Sequence, residues 1–172
     1  MNSDDFTDAW DDLRLRYGIY LRLLGALPDP LFHQSPIQGM RTPAELVAHV
    51  SGTVVRGITL GIATGEILAP EESESDVVAR LGSKASVLDF ALDSWDVAAA
   101  AARSVGDREL AATVRSPWEM SFTGAEAFGI IRDEFMHHRG QLYAYSRAMA
   151  VAPPSMWRFD QNAPGFSPGG GG

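Results

Sequence analysis

The apolar residues of the first 27 positions follow a spacing that restricts this part of the chain to a helix within a bundle. They recur at alternating steps of four and three residues: Phe6, Trp10, Leu13, Tyr17, Tyr20, Leu24 and Leu27. This alternation places them on one narrow stripe, which is typical of a seam between packed helices. Ser3 can cap the start, Asp4 and Asp5 suit the positive end of the helix, and Pro28 ends it. We therefore predict a first long helix over about residues 4–27.

Three further long helical patterns follow the first, and no segment shows the alternation typical of a strand. They run over about residues 42–64, 84–105 and 123–150. The second and fourth helices each begin at a threonine followed three residues later by a glutamate, the pattern of a capping box: Thr42 with Glu45, and Thr123 with Glu126. Four long helices with one long connection between the second and third predict an all-α fold, a four-helix bundle with a crossover connection.

The length of 172 residues suits one domain with a sizeable core. We expect the bundle to occupy residues 1–154, because Pro153 and Pro154 follow the last helix and cannot continue it. The remaining residues, 155–172, close on the sequence SPGGGG and are expected to form a flexible tail. The prediction is thus a single helical domain with a short C-terminal extension.

The charge and the cysteine content exclude several function classes. The formal net charge of −8 argues against nucleic acid, because affinity for nucleic acid comes largely from Lys and Arg that neutralise phosphates. The longest apolar run, 54–63, is broken by Arg56 and several glycines and is too short to span a membrane. The acidic N-terminus lacks the apolar run of a secretory signal, so we expect a cytoplasmic protein. The chain has no cysteine, so any bound metal needs nitrogen and oxygen ligands.

The fourth helix holds a carboxylate and an imidazole four residues apart, at Glu134 and His138. Residues at this spacing project from one face of a helix, where two side chains can converge on one divalent ion. The helical phase places this pair in the middle of the apolar stripe, whereas the rival pair, Asp133 and His137, points toward the polar side. A glutamate in an apolar stripe is costly to bury unless it is paired or bound to a metal. Two interpretations stay open: a metal site, or a Glu–His hydrogen bond that only ties the core together.

A metal held by two residues of one helix needs at least one more protein ligand, and His49 on the second helix is the natural candidate. Its side of that helix also carries Thr53 and Arg56, whereas the apolar residues lie on another side. One interpretation is a surface histidine on a solvated face. The other is a polar strip that lines a water-filled cleft, where Thr53 and Arg56 would edge the open coordination position. His33 and the acidic stretch 71–74 lie in loops and are expected to be solvated.

Two segments of the chain together resemble the DinB/YfiT-like metalloprotein superfamily. They are MRTPAELVAH at 40–49 and, about 85 residues later, Glu134 followed by HRGQL at 138–142. The resemblance spans about residues 4–157 and implies a four-helix bundle with one divalent metal between the second and fourth helices. It implies three ligands: His49, Glu134 and His138. The commoner family pattern has a histidine at the position of Glu134, and the glutamate is similar to the mycothiol-dependent maleylpyruvate isomerase branch.

The resemblance leaves two function classes open. One is a metal-dependent enzyme of the thiol transferase or isomerase type, which activates a low-molecular-weight thiol or water and acts on a small molecule bound by Arg56 and Thr53. The other is a non-catalytic metal-binding or stress-response bundle. Zinc is the expected metal, with nickel, iron or manganese as alternatives, and we expect a homodimer. A cleft beside the metal lined by Arg56 and an aromatic residue such as Trp118 or Tyr145 would favour the enzyme. A site sealed by apolar side chains would favour the alternative.

Overall fold

A computed structural model of the protein describes residues 1–169, so residues 170–172 of the predicted tail lie outside the described part of the chain. The elements in chain order are α1 (Ser3–Ala26), α2 (Asp29–Phe32), α3 (Pro43–Val47), a π-helical stretch (Ala48–Ile58), α4 (Thr59–Thr64), α5 (Glu74–Leu81), α6 (Lys84–Ala102), α7 (Asp107–Ala111), β1 (Thr113–Arg115), β2 (Ser121–Thr123), α8 (Gly124–Ala148) and two 3-10 turns (Phe159–Gln161 and Pro164–Phe166). Four long helices, of 19 to 25 residues, form the body of the molecule. The predicted all-α four-helix bundle is confirmed, and the long connection between its second and third helices contains α5.

The second long helix, Pro43–Thr64, changes its winding in the middle. The predicted capping box begins it, because the Glu45 N–H donates to the Thr42 hydroxyl at 3.1 Å and the Thr42 N–H donates to the Glu45 carboxylate at 2.8 Å. From Ala48 to Ile58 the helix is π-helical, and α4 then completes it. π-Helical turns are rare and frequently lie at functional sites. Here the stretch carries the three residues that the sequence singles out on this helix: His49, Thr53 and Arg56.

The core lies between the four long helices and is rich in aromatic side chains. The ring centre of Tyr17 on α1 lies 4.6 Å from that of Trp95 on α6 and 5.9 Å from that of Phe135 on α8. The Tyr17 hydroxyl lies 2.8 Å from both the Ala91 carbonyl and the Ser51 hydroxyl, so it can donate to the carbonyl and accept from Ser51. A buried polar group needs such partners, and these bonds join α1, the second long helix and α6.

The second long helix is also the one described helix that is long and apolar enough to cross a membrane, judged by length and composition. Of its most apolar window, 67% is buried inside the protein, as expected for a core helix of a bundle. The finding is therefore weak evidence for a membrane span, and the expectation that the protein has no membrane partner stays a prediction.

A two-stranded hairpin, which the sequence pattern does not predict, packs beside α4 and α8. Its strands, β1 and β2, pair antiparallel. The Ile67 N–H donates to the Arg115 carbonyl at 2.8 Å, and the Arg115 N–H donates to the Gly65 carbonyl at 3.0 Å, so the hairpin is attached to the residues that follow α4. Trp118 lies between the two strands and is thereby held near the second long helix.

The segment expected to be a flexible tail packs against α1 as far as it is described. Phe166 is buried, and its ring centre lies 5.8 Å from that of Tyr17. The Asn162 amide donates to the carbonyls of Leu15 and Phe166 at 2.9 and 2.8 Å. Gly18 makes room for this contact, because a Cβ at that position would lie 2.6 Å from the Phe166 Cβ. The described part of the segment therefore differs from the expectation, since one aromatic ring and one amide anchor it to the bundle.

Candidate metal centre

The three predicted ligands converge between the second and fourth long helices. Glu134 Oε2 lies 3.2 Å from His138 Nε2, one turn along α8, and 3.7 Å from His49 Nε2, across the helix interface. One donor atom of each residue lies within 4.8 Å of the others. Ligands at about 2.0–2.2 Å from zinc stand roughly 3.4 Å apart in a tetrahedron. The donor set can therefore hold one divalent ion after small side-chain adjustments, with a fourth position open.

The alternative of a buried Glu–His pair fits this geometry less well. The side chain of Glu134 is 44% exposed, whereas that of His138 is 8% exposed. Helical phase puts Glu134 within the apolar stripe, but the carboxylate reaches solvent where α8 borders the second long helix. A solvated carboxylate needs no internal partner. Its approach to two imidazoles is explained better by a shared ion than by the needs of the core.

His138 is held by residues of its own helix. Its Nδ1 lies 2.9 Å from Gln141 Oε1, and the Gln141 amide nitrogen donates to the Tyr145 hydroxyl at 2.7 Å. Tyr145 in turn donates to the Arg41 carbonyl at 3.0 Å. Because the Gln141 oxygen accepts, Nδ1 carries the hydrogen and Nε2 is free to bind a metal. Burial lowers the pKa of His138 against the opposing effects of Gln141 and Glu134, which favours the neutral, metal-binding imidazole.

His49 is held from outside its helix by Glu74, the first residue of α5. Its Nδ1 lies 2.8 Å from Glu74 Oε1, so Nδ1–H donates to the carboxylate and Nε2 is left toward Glu134. Arg41 holds the same carboxylate, with Nη2 3.1 Å from Oε1 and Nε in contact with Oε2. Burial raises the pKa of Glu74, but the bonds from His49 and Arg41 outweigh this and bring the pKa down to about 2. A carboxylate in this place fixes the ring and strengthens it as a ligand.

Glu74 belongs to the acidic stretch 71–74 that the sequence interpretation assigned to solvated surface, and for Glu74 this interpretation is wrong. Its side chain is 27% exposed, whereas Glu71 and Glu72 are exposed as expected. No helical spacing relates Glu74 to His49, so the sequence carries no signal for their contact. Only the packing of α5 against the second long helix brings the two side chains together.

A cleft of about 920 Å³ opens beside His49 along the second long helix. Its wall includes the two predicted substrate-binding residues, Thr53 and Arg56, together with Trp118 of the hairpin. The Arg56 guanidinium lies 5.2 Å from the ring centre of Phe90, and among residues 1–169 no carboxylate oxygen lies within 4.0 Å of it. The polar side of this helix therefore faces a cleft, the second of the two interpretations left open by the sequence.

The remaining candidate residues lie apart from the three donor atoms. His137 is exposed, and its ring centre lies 4.7 Å from that of His138 without contributing to the cluster. Asp133 and His33 are also exposed. Tyr145 is buried and supports Gln141 rather than the cleft wall.

A family model, but no individual curated protein, matches the chain. Residues 12–142 match the family model of the DinB superfamily, a region that runs from α1 through most of α8 and includes all three candidate ligands. The match covers more than half of the 172 residues. The chain therefore belongs to the DinB superfamily.

Proposed function

We propose that the protein is a metal-dependent enzyme in which His49, Glu134 and His138 hold one divalent ion. The observation that carries the proposal is the open cleft beside His49. Structural zinc sites are usually closed by four protein ligands, whereas catalytic sites have three and keep one position open. Three donors, one of which, His49, lines a cleft, match the second arrangement.

The donor set also limits the metal and its chemistry. Two imidazoles and one carboxylate suit zinc, and nickel, iron and manganese accept the same set. An ion held there would lower the pKa of a coordinated thiol or water and so generate a nucleophile near neutral pH. Since the chain contains no cysteine, the thiol would belong to a low-molecular-weight cofactor or substrate. Glu74 and Gln141 hold the two imidazoles with Nε2 toward the site.

Arg56 and Thr53 are proposed to bind the anionic part of the substrate or thiol cofactor. Stacking on Phe90 holds the Arg56 guanidinium in the cleft, and its planar fork suits a carboxylate. The His–Glu–His donor set resembles that of the mycothiol-dependent maleylpyruvate isomerase branch. This resemblance supports an isomerase or thiol transferase that acts on a small molecule. A cytoplasmic homodimer is the proposed working form.

The test uses zinc-loaded protein whose metal content is first measured by plasma emission spectrometry. Mercaptoacetyl-glycyl-alanine carries a thiol and a carboxylate roughly 10 Å apart when extended, and it is titrated by calorimetry into wild type, Arg56→Lys and Arg80→Lys. Arg80 lines the same cleft but is paired with Glu72 at 2.8 Å, so it is the matched control. We expect Arg56→Lys to weaken binding roughly tenfold, because a bidentate contact becomes a single one, and Arg80→Lys to leave it unchanged.

The outcomes separate the parts of the proposal. Protein that retains no metal would overturn it. Bound metal without binding of the thiol would support the alternative, a non-catalytic metal-binding bundle. Equal affinity in wild type and Arg56→Lys would remove Arg56 from the binding site and leave the metal proposal intact.

A further inference from the structure

The cleft continues past Arg56 to an apolar end. Leu60 of α4, Leu68 of the following loop and Trp118 of the hairpin all line it. Their side chains are 38%, 75% and 50% exposed, in that order. All three therefore belong to the large apolar side chains of residues 1–169 that remain in contact with water. Apolar residues scattered singly over a surface need no explanation, but a group in one cleft marks a binding surface.

The two ends of the cleft are far enough apart to demand an elongated ligand. Arg56 follows His49 by seven residues and Leu60 follows by eleven on the same helix. An α-helix would separate them from His49 by roughly 10 Å and 16 Å along its axis, and the π-helical winding of Ala48–Ile58 makes both distances somewhat shorter. A ligand with a donor atom at the metal therefore meets the guanidinium first and the apolar end beyond it. Trp118 lies toward the Leu60 end, because the hairpin that carries it is bonded to the residues after α4.

Between these ends, the wall of the cleft includes two glycines. Gly52 and Gly57 both line it. A Cβ at Gly52 would lie 2.9 Å from the Phe90 ring, so a larger residue would displace the ring on which Arg56 stacks. Gly52 therefore makes room for the Phe90 ring, and the ring in this position holds the Arg56 guanidinium at the cleft wall.

The charges in the cleft place the anionic part of the ligand at Arg56. Two arginines and three glutamates line it. Arg80 is already paired with Glu72, and Glu74 with Arg41 and His49. Within the described chain Arg56 has no such carboxylate partner and keeps its donors for a ligand. Leu60, Leu68 and Trp118 are uncharged, and they therefore suit an uncharged group.

We propose that the ligand of this cleft is an elongated carboxylate that ends in an apolar or aromatic group, bound by Leu60, Leu68 and Trp118. This inference rests on the proposed function, because it takes the metal as the site of the donor atom. The three side chains form an apolar subsite that selects among thiols or substrates of the same charge.

The experiment compares two compounds that differ only in a phenyl ring, mercaptoacetyl-glycyl-phenylalanine and mercaptoacetyl-glycyl-alanine. Each is titrated by calorimetry into zinc-loaded wild type, Trp118→Ala, Leu68→Ser and Trp157→Ala. Trp157 is 71% exposed and lies in the C-terminal segment, so it is the matched control for removal of an exposed indole. We expect wild type and Trp157→Ala to prefer the phenylalanine compound roughly tenfold, from partial burial of the ring. Trp118→Ala and Leu68→Ser should lose most of this preference while keeping their zinc.

The possible negative results contradict different parts of the two proposals. Equal affinity for both compounds in wild type, or a preference that survives in both cleft variants, would overturn the apolar subsite and leave the proposed function standing. If acetyl-glycyl-phenylalanine, which lacks the thiol, binds as tightly as its thiol counterpart, the proposed thiol activation fails. If acetyl-glycyl-phenylalanine then binds more weakly to Trp118→Ala than to wild type, the apolar subsite is still supported. A change of oligomeric state in Trp118→Ala, measured by sedimentation, would instead identify the apolar end as a contact between copies and overturn the inference.

Discussion

His138 takes its support from residues of its own helix, whereas His49 takes its support from a carboxylate 25 residues further along the chain. Gln141 and Tyr145 follow His138 on one face of α8, so the helix that places the ligand also places what orients it. Glu74 reaches His49 only because α5 packs against the second long helix. The two imidazoles of one centre therefore depend on different levels of structure, one on local sequence and one on the fold.

The hydrogen bonds that orient the two imidazoles also differ in strength. The contact at His49 joins an imidazole to an anionic carboxylate, whereas the contact at His138 joins one to a neutral amide. Hydrogen bonds with an ionised partner are roughly twice as strong as neutral ones. We therefore expect the metal affinity to depend more on Glu74 than on Gln141, although Glu74 is the more remote residue in the sequence.

Removal of a ligand is expected to have the largest effect of all. His138→Ala should abolish metal binding, because it removes one of three donor atoms and leaves Glu134 with a single imidazole partner. His33→Ala, which alters an exposed loop residue, should keep its full metal content. Plasma emission spectrometry on the two purified variants measures both. Equal metal content would show that the cluster is not the metal site.

Loss of the Glu74 carboxylate, which supports His49 from outside its helix, should have the next largest effect on metal binding. Glu74→Gln should weaken metal binding by roughly 10–100-fold, the range typical of residues that orient a ligand. Glu72→Gln is the control, because Glu72 lies in the same acidic stretch but, among residues 1–169, its one ion pair is with Arg80. Competition with a chromophoric chelator gives the affinities. An unchanged affinity in Glu74→Gln would mean that His49 needs no help from α5.

Loss of Gln141, which supports His138 from within α8, should weaken metal binding less. Gln141→Ala is expected to weaken metal binding by about tenfold, the lower end of the same range, because the rest of α8 still fixes the position of His138. The same chelator competition measures it. A loss as large as that of Glu74→Gln would erase the distinction between the local and the remote support.

The last effect concerns stability in acid, which is a property of the fold and not of metal affinity. The pKa of Glu74 falls from its ordinary value of 4.5 to about 2 in the folded protein, so the unfolded chain takes up this proton at a higher pH. Its contribution to the free energy of unfolding is therefore full above pH 4.5 and is lost as the pH falls toward about 2. Glu74→Gln lacks this contribution. Urea unfolding of metal-free wild type and variant between about pH 5 and pH 3 should show the difference in free energy shrinking, and a constant difference would contradict the assignment.

The long helices and two of the three candidate ligands, Glu134 and His138, could be predicted from the sequence, because they depend on the spacing of residues within one helix. The capping boxes at Thr42 and Thr123 form as predicted, and the pairing of Glu134 with His138 follows from helical phase alone. The position of His49 did not follow in this way. Its helical phase allowed both a solvated face and a cleft wall, and only a neighbouring element decides between them.

The features that sequence reasoning missed are contacts between segments far apart in the chain. Glu74 stands in a stretch whose composition is that of a surface, and nothing local distinguishes it from Glu71. The end of the chain is rich in Ser, Pro and Gly, which hid the burial of Phe166 and the anchoring amide of Asn162. Composition describes a segment on its own, whereas these side chains acquire their roles from what they meet.

The packing of the C-terminal segment on α1 sets an order of events during synthesis. Arg14 of α1 donates to the carbonyls of Gly165 and Ser167 at 2.8 and 3.0 Å, across 151 and 153 positions of the chain. At about 5–20 residues per second, a ribosome needs roughly 8–30 s to produce the segment that covers α1. The first helix to emerge is therefore the last to complete its packing. A chain released before Phe166 has been added would keep the face of α1 around Gly18 uncovered and open to association with other nascent chains.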